Sequence, residues 1–452
     1  MNARADDLAM AFMEPVRAAH PGAADYLQAV EAIARDVLTV EKANADFAAA
    51  RVLARLAEPD RVIGFRVVWR DDRGEVRINR GWRVQQSDLM GPYKGGLRWH
   101  PGVSLGDLRM LAFEQTFKNA LTGLPMGGAK GGADFDARGA SEAEVERFAL
   151  AFMLELHRHI GPHRDVPAGD QGVGPHEIGL LAAAWRRLGE GGAGAITGKP
   201  LCLGGSAMRA EATGHGLVHF LGCMLAAADE ELDGRSVAIS GRGTVAIHAA
   251  RKATEFGARV VSLSDSGGTF EAADGLTAEA LDWLEAGARR RDRNPPAGLG
   301  LRYRAGVQPW GLGAEIALPC ATQNEIGPAE ARALVEGGCR WLAEGANLPV
   351  TAEARAILDR GGVVQAPGKA ANAGGVAVSG VEMRQNATFR PLPPEEVEAE
   401  LQRTMARIHR MILDEAEAGL ARDSSGRIDY RRGANLAAYR RLARAMVDQG
   451  AL

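Results

Sequence analysis

A two-domain α/β fold is what this sequence predicts, and three observations carry that expectation. The chain has 452 residues, more than a single compact core usually organises and suited to two. The stretch from Val237 to Asp265 reads strand, glycine turn, helix, strand. Beyond it, short apolar segments at 317–321, 340–346 and 362–368 alternate with helical stretches, which points to a mainly parallel sheet.

The elements follow in order. Residues 1 to about 58 carry helical apolar spacing and few breakers. Arg61 to Val84 reads as strands around a turn at Asp72-Arg73-Gly74. A helix is expected from about Leu105 to Leu121. Ser141 and Glu144 have capping-box spacing and open a helix striped by Val145, Phe148, Phe152 and Leu156; Gly161-Pro162 ends it. The pattern changes after about residue 205, where a helix at 214–229 precedes the strand Val237–Ser240. Pro391, Pro393 and Pro394 precede a long helix from about Glu395 to Gly419, and an amphipathic helix covers about Ala434 to Gln449.

Composition excludes several function classes. Apolar residues at 46% and charged residues at 25% are the balance of a folded chain, not a disordered one. A formal net charge of −3 gives no general reason to expect nucleic acid or an anionic membrane as a partner. The start, MNARADDLAM, is acidic with no apolar core behind it, so no secretory signal is expected. No uninterrupted apolar stretch reaches the roughly 20 residues that span a bilayer. Cys202, Cys223, Cys320 and Cys339 form no CxxC pair and have no histidine at zinc spacing. They read as reduced structural thiols of a cytoplasmic protein, with no metal site.

GRGTVA, directly after Val237–Ser240, carries the clearest motif. Gly241 permits a tight turn, Gly243 lets backbone approach a pyrophosphate, and Ala246 allows close helix–strand packing; Thr244 and Val245 open the helix whose N-terminus faces the phosphates. Asp265, flanked by Ser264, ends the next strand where a ribose-binding acid belongs. The second half is therefore read as a Rossmann-type dinucleotide-binding domain. Asp265 alone favours NAD. Arg289, Arg290, Arg291 and Arg293 follow, and such a cluster either meets the 2′-phosphate of NADP or forms a solvated charged face.

Lysine usage supplies a second signal. Of 54 basic side chains only seven are lysine, at 42, 94, 118, 130, 199, 252 and 369. Where a chain otherwise chooses arginine, the lysines that persist are candidates for chemistry, because an ammonium can lose its proton when buried. Lys42 and Lys252 read as ordinary helix-surface residues. Lys94 in GPYKGGLRWHP and Lys130 in LPMGGAKGG lie in what read as glycine loops, and Lys118 lies on the helix between them, where pairing with Glu114 is the plainer reading. Such lysines, gathered together, would bind a dicarboxylate, and mutual repulsion with burial would lower the pKa of one of them. DVPAGDQGVG adds Asp165 and Asp170 in a loop, either to relay protons or as turn chemistry.

These motifs, together with FEQTFKNAL, ITGKP, EATGHG, LPCATQNE, EGANLP and APGKAANAGGVAVSG in that order, resemble the hexameric glutamate dehydrogenases, particularly the shorter NADP-linked microbial type, from about residue 60 to 450. The resemblance implies that Lys94, helped by Ser379, binds the side-chain carboxylate of L-glutamate. It gives Gln115 and Lys118 the α-carboxylate, and Ala168 and Val376 the pocket wall. Lys130 would be the catalytic lysine, activating water and stabilising the carbinolamine, and Asp170 would pass protons to and from the amine. Thr197, Thr213, Asn347 and Asn372 would orient the nicotinamide end of NADP, with NAD the alternative. Glutamate would lose a hydride from Cα to the nicotinamide, and the iminium would hydrolyse to 2-oxoglutarate and ammonia. Residues 1–204 would form a substrate-binding and oligomerisation domain, 205–427 the nucleotide domain, and 428–452 a helix returning to the first; a homohexamer is implied. The sequence departs from the family at Pro175, His176, Ala210, His215 and Thr244, which bears on cofactor affinity and hinge behaviour. A dehydrogenase of leucine, phenylalanine or valine would share the lysine–aspartate chemistry but leave an ammonium at 94 facing an uncharged side chain. A non-catalytic nucleotide-sensing relative would lack Lys130 or Asp170.

Overall fold

The computed structural model describes residues 3–189, 191–192, 194–288 and 292–450. The chain divides into two units, one of Met1–Ala207, Val378–Val397 and Asn435–Leu452, the other of Met208–Ala377 and Glu398–Ala434.

In the first unit five strands, β1 (Arg61–Arg70), β2 (Val76–Ser87), β3 (Tyr93–Trp99), β4 (Gly128–Ala133) and β5 (Asp165–Gly169), form a sheet ordered β1-β2-β4-β3-β5. β1 and β2 make the antiparallel hairpin expected around Asp72-Arg73-Gly74, with Arg70 opposite Val76. β4 is antiparallel to β2, whereas β3 runs parallel to both β4 and β5. Here the structure corrects the sequence reading. The stretches around Lys94, Lys130 and Asp165 are strands, not glycine loops. Glycine has low intrinsic strand propensity, but pairing to neighbours on both sides outweighs it. A side chain at Gly95 would collide with the carbonyl of Ala129, so glycine is what allows the backbones to approach.

The two-residue period of β3 sorts its side chains. Leu97 and Trp99 join Val67, Ala133 and Phe135 in a core completed by Val145, Phe148, Phe152 and Leu156 of the helix Glu142–Leu156. That helix opens with the expected capping box: Ser141 accepts from the Glu144 amide, and Glu144 accepts from the Ser141 amide. Phe135 and Phe148 stack with centroids 3.8 Å apart. Lys94, Gly96 and Arg98 alternate to the other face. On that side Val84 of β2 packs with Leu108 and Ala112 of the helix Leu105–Thr122. From Asn435 onward the C-terminal helix Tyr430–Gln449 belongs to this unit, tied to it by buried polar bonds: Asn435 donates to Asp36 at 2.7 Å and the Tyr439 hydroxyl to Glu41 at 2.5 Å.

The second unit holds β6 (Ser236–Ile239), β7 (Arg259–Asp265), β8 (Gly268–Glu271), β9 (Arg302–Ala305), β10 (Ile316–Leu318), β11 (Trp341–Ala343) and β12 (Val364–Ala366), ordered β12-β11-β10-β6-β7-β8-β9. From β12 to β7 the sheet is parallel; β8 and β9 extend it as antiparallel strands. Every residue of β6 and β10 is buried, as helices on both faces require. The fold is thus α/β, as expected. No helix among the described residues is long and apolar enough to cross a membrane.

Phe148 is fully buried and stacked within the first core, so Phe148→Ala is expected to cost about 3–5 kcal/mol of stability, read as a lower denaturant midpoint with an unchanged m-value.

Candidate active site

Lys94 and Lys130 lie on strands separated by a single backbone spacing, and strand register places both on the face under the helix Leu105–Thr122. Lys94 is 2% exposed and donates from Nζ to Thr197 Oγ1 at 2.8 Å. The Thr197 amide in turn donates to the carbonyl of Pro167 on β5. Ala168, buried on β5, pairs with Gly96. Gln115 and Lys118 sit one turn apart on the helix, both half-buried; the Gln115 stem lies against Gly95. Ser379 is buried on the helix Gly374–Thr388. One turn on, Glu382 accepts from the Gly198 amide at 2.8 Å and from Lys199 Nζ at 2.6 Å. The ITGKP segment carrying Thr197 is thereby fixed to the helix carrying Ser379. Lys199 and Glu382 are both almost fully buried, so this lysine is a structural ion partner.

Lys130 Nζ stands 2.9 Å from Asp170 Oδ2. Burial pushes the Lys130 ammonium below the usual lysine range; Asp170 opposes that shift, and the guanidiniums of Arg98 and Arg83 reinforce it. Burial alone would raise Asp170, but Lys130 and Arg98 bring its carboxyl down to about 2. The positive neighbours that weaken Lys130 as a base are therefore arginines, where the sequence reading expected other lysines. The resulting arrangement is a carboxylate held ionised beside an ammonium whose hold on its proton burial weakens, a pair of groups of the kind that moves protons.

Three further residues escaped the sequence reading. Arg98 donates from Nε to the same Asp170 oxygen, at 2.9 Å. Its signal was present, since Lys94 and Arg98 are four apart on a strand and share a face. Asn119 donates to the carbonyl of Lys94 at 3.0 Å and accepts from Gln115 at 2.7 Å, tying a helix residue to both candidate carboxylate-binding positions. Arg83, fully buried, forms two hydrogen bonds to Asp165, at 2.9 and 2.5 Å, and donates to the Gly95 carbonyl at 3.1 Å. Asp165 thus serves the strand register, on the face opposite the lysines.

In the second unit the glycine turn has the geometry a dinucleotide requires. Gly241 has φ +86°, which glycine adopts without strain. Its amide donates to Ser264 Oγ at 3.0 Å, linking the turn to the end of β7. Gly243 and Thr244 are exposed at the start of the helix Thr244–Glu255, with Val245 half-buried behind them. Asp265 accepts from the Gly267 amide at 2.7 Å, Arg293 Nε at 2.9 Å and the Tyr303 hydroxyl at 3.1 Å. Burial would raise its carboxyl, but these donors hold it below the usual range. Arg289, Arg290 and Arg291 lie outside the described residues. Arg242, at the variable position of the turn, is buried; it donates to the carbonyls of Leu284 and Asp292 and lies over Phe270, 4.7 Å from the ring centroid. Elsewhere in this unit Asn372 donates to the carbonyls of Gly345 and Ala346 and to Asn347 Oδ1, and Gly375 lies against Thr213 Oγ1. Asn347 and Asn372 are thereby joined, Thr213 lies beside the start of the next helix, Gly374–Thr388, and Val376 is half-buried in that helix's first turn.

Lys252 corrects the sequence reading: it is buried and pairs with Glu398 at 2.9 Å and Glu255 at 3.0 Å. Glu398 also takes His215 at 3.0 Å and His219 at 2.8 Å. Burial would raise Glu398, but the two imidazoles and Lys252 hold it well below the usual carboxylate range. His215 is thus anchored in an ion cluster that the spacing of EATGHG could not reveal. Pro175 occupies the first turn of the helix Pro175–Arg187, where a missing amide costs nothing, and His176 is exposed.

Two family models match the chain, the dimerisation domain of Glu/Leu/Phe/Val dehydrogenases over residues 59–187 and the Glutamate/Leucine/Phenylalanine/Valine dehydrogenase model over residues 204–450. The NADP-specific glutamate dehydrogenase of Psychrobacter sp. (strain TAD1) is 47% identical over 445 residues, covering 97% of this chain and 98% of that one. That of Escherichia coli (strain K12) is 47% identical over 444 residues, with 98% of each chain covered. The crystal structure of Plasmodium falciparum glutamate dehydrogenase superposes with a TM-score of 0.94 at 38% identity, over 99% of this chain and 96% of that one. With matches of this extent laid over the lysine–aspartate sheet and the glycine turn, the chain belongs to the Glutamate/Leucine/Phenylalanine/Valine dehydrogenase family.

Proposed function

We propose that the chain catalyses the reversible oxidative deamination of L-glutamate to 2-oxoglutarate and ammonia with NADP(H). The observation that carries this reading is the buried Lys130–Asp170 pair with a second buried ammonium, Lys94, on the adjacent strand. Near-full-length similarity to proteins named as NADP-specific glutamate dehydrogenases supports it.

In this reading Lys94, with Ser379, binds the side-chain carboxylate, and Gln115 and Lys118 bind the α-carboxylate. Ala168 and Val376 line the pocket. Charge-assisted bonds at both ends orient Cα without touching it, so binding energy is converted into alignment. Lys130 takes a proton from water attacking the substrate iminium and stabilises the carbinolamine; Asp170 carries the proton on and off nitrogen. The dinucleotide supplies the hydride acceptor. The turn at Gly241, the exposed helix start at Gly243-Thr244-Val245, and Ser264 and Asp265 at the end of β7 fit its pyrophosphate and ribose; Thr197, Thr213, Asn347 and Asn372 are assigned to its nicotinamide end. Asp265 is already engaged by Arg293, which offsets the repulsion a free carboxylate would exert on a 2′-phosphate and favours NADP over NAD. The first unit serves substrate binding and self-association, the second the nucleotide; a homohexamer in the cytoplasm completes the reading, supported by family resemblance.

Lys130→Ala and Asp170→Asn are each expected to lower turnover by about 10²- to 10⁴-fold while NADPH binding, followed by fluorescence titration, persists; near-normal turnover in either would refute its role. Lys94→Met should raise the KM for glutamate by about 10- to 100-fold and improve leucine or phenylalanine relative to it; a wild-type preference for an apolar amino acid would reassign the substrate. With 2-oxoglutarate and ammonium, kcat/KM should favour NADPH over NADH, and Arg293→Ala should narrow that ratio; equal use of both nucleotides by the wild type would remove the assignment.

A further inference from the structure

Asp170 is shared. Its Oδ2 takes Lys130 Nζ at 2.9 Å and Arg98 Nε at 2.9 Å, and the carboxylate is four-fifths withdrawn from solvent. The two cations arrive from neighbouring strands, β4 and β3, where Leu97 and Arg98 pair with Gly131 and Gly132. Arg83 approaches from β2 but is committed to Asp165. Lys94 lies on the same face of β3, and the helix packed over that face carries Glu114 and Lys118, both half-buried.

The two partners of Asp170 differ in kind. A guanidinium keeps its proton at any working pH, whereas a buried ammonium gives its proton up readily. If Lys130 were the sole partner, its deprotonation would strand a largely buried carboxylate without a counter-charge, a costly state, so the ion pair would hold its proton. With Arg98 on the same oxygen, the carboxylate keeps one cation and its orientation whichever form Lys130 takes.

We propose that Arg98 is a positioning residue that makes the neutral-amine form of Lys130 accessible by remaining as the permanent counter-ion of Asp170. This deepens the proposed function, on whose assignment of Lys130 and Asp170 it rests. The burial-driven fall of the Lys130 pKa, reinforced by Arg98, agrees in direction. Arg98 need not touch substrate; it acts through the carboxylate.

The test is the pH dependence of Lys130 itself. The full-length wild type, Arg98→Gln and Arg98→Lys would be acylated briefly with acetic anhydride across a pH series, and the Lys130 peptide quantified by mass spectrometry. Arg98→Gln keeps a hydrogen-bond donor without charge, and its Lys130 should become reactive at higher pH, with acylation at pH 7 down about tenfold. The limb of the kcat profile that rises with Lys130 deprotonation should move the same way, while NADPH affinity stays put. Arg98→Lys should keep both curves near the wild type. Arg98→Met, which retains the aliphatic stem, replaces Arg98→Gln if that variant does not fold. A neutral variant whose Lys130 titrates with the wild type, or whose kcat drops by one factor at every pH, would overturn the proposal. Acylation is read without substrate, so a wild type that fails to turn over glutamate would count against the proposed function alone.

Discussion

Arg83 and Asp165 form an ion pair with both side chains fully withdrawn from solvent, and the lysine-bearing sheet is built around it. A pair buried this deeply adds little net stability, because desolvation offsets its attraction. What it supplies is register. The guanidinium bridges the Asp165 carboxylate on β5 and the Gly95 carbonyl on β3, while Gln85 of β2 adds a third bond to Asp165 at 2.8 Å. A one-residue slip of β3 would turn Lys94 and Arg98 into the aromatic core and send Leu97 and Trp99 to the polar face. The buried pair penalises that slip strongly, since any slip would leave a charge in the interior without its partner.

On the opposite face the same sheet carries a second charge cluster, Lys130 and Arg98 on Asp170. β3 and β4 contribute Arg98 and Lys130, and the turn after β5 contributes Asp170. Sheet strands hold such groups more rigidly than loops do, because each is fixed by ladder bonds on both sides. The glycines of these strands then acquire a common purpose: they admit neighbouring backbone at the points where lysine and carboxylate must come together. Polar supports finish the site. Asn119 holds the Lys94 backbone and Gln115, and the buried Lys199–Glu382 pair holds the segment that carries Thr197.

The second unit uses a different device for its ligand. A helix start and a turn whose positive φ falls on glycine leave backbone amides of the kind that receive an anion, and β7 ends in a carboxylate already paired with Arg293. Arg242, in the same turn, donates to the carbonyls of Leu284 and Asp292, the latter next to Arg293, so the turn is tied to the residue beside the partner of Asp265.

Much of this was legible in the residues. Periodicity and capping chemistry located the helix from Glu142 with its Phe148 and Phe152 stripe, because a helix reports its buried face every three or four positions. The glycine turn with its flanking strand and helix was equally readable, as its requirements are local. The scarcity of lysine pointed to Lys94, Lys118 and Lys130, of which Lys94 and Lys130 are buried and Lys118 half-buried, but it set aside Lys252, which is buried as well. The strands β3, β4 and β5 were hidden, because glycine-rich segments have no strand propensity of their own and become strands only by pairing. The ion partners were hidden for a related reason. Lys252 with Glu398, Arg83 with Asp165 and Arg98 with Asp170 lie between 72 and 146 residues apart in sequence, and electrostatics acts through space. The sequence by itself marked which groups are candidates for chemistry; only the tertiary structure decided which carboxylate each cation meets and where burial loosens an ammonium's hold on its proton, because both depend on neighbours brought together through space.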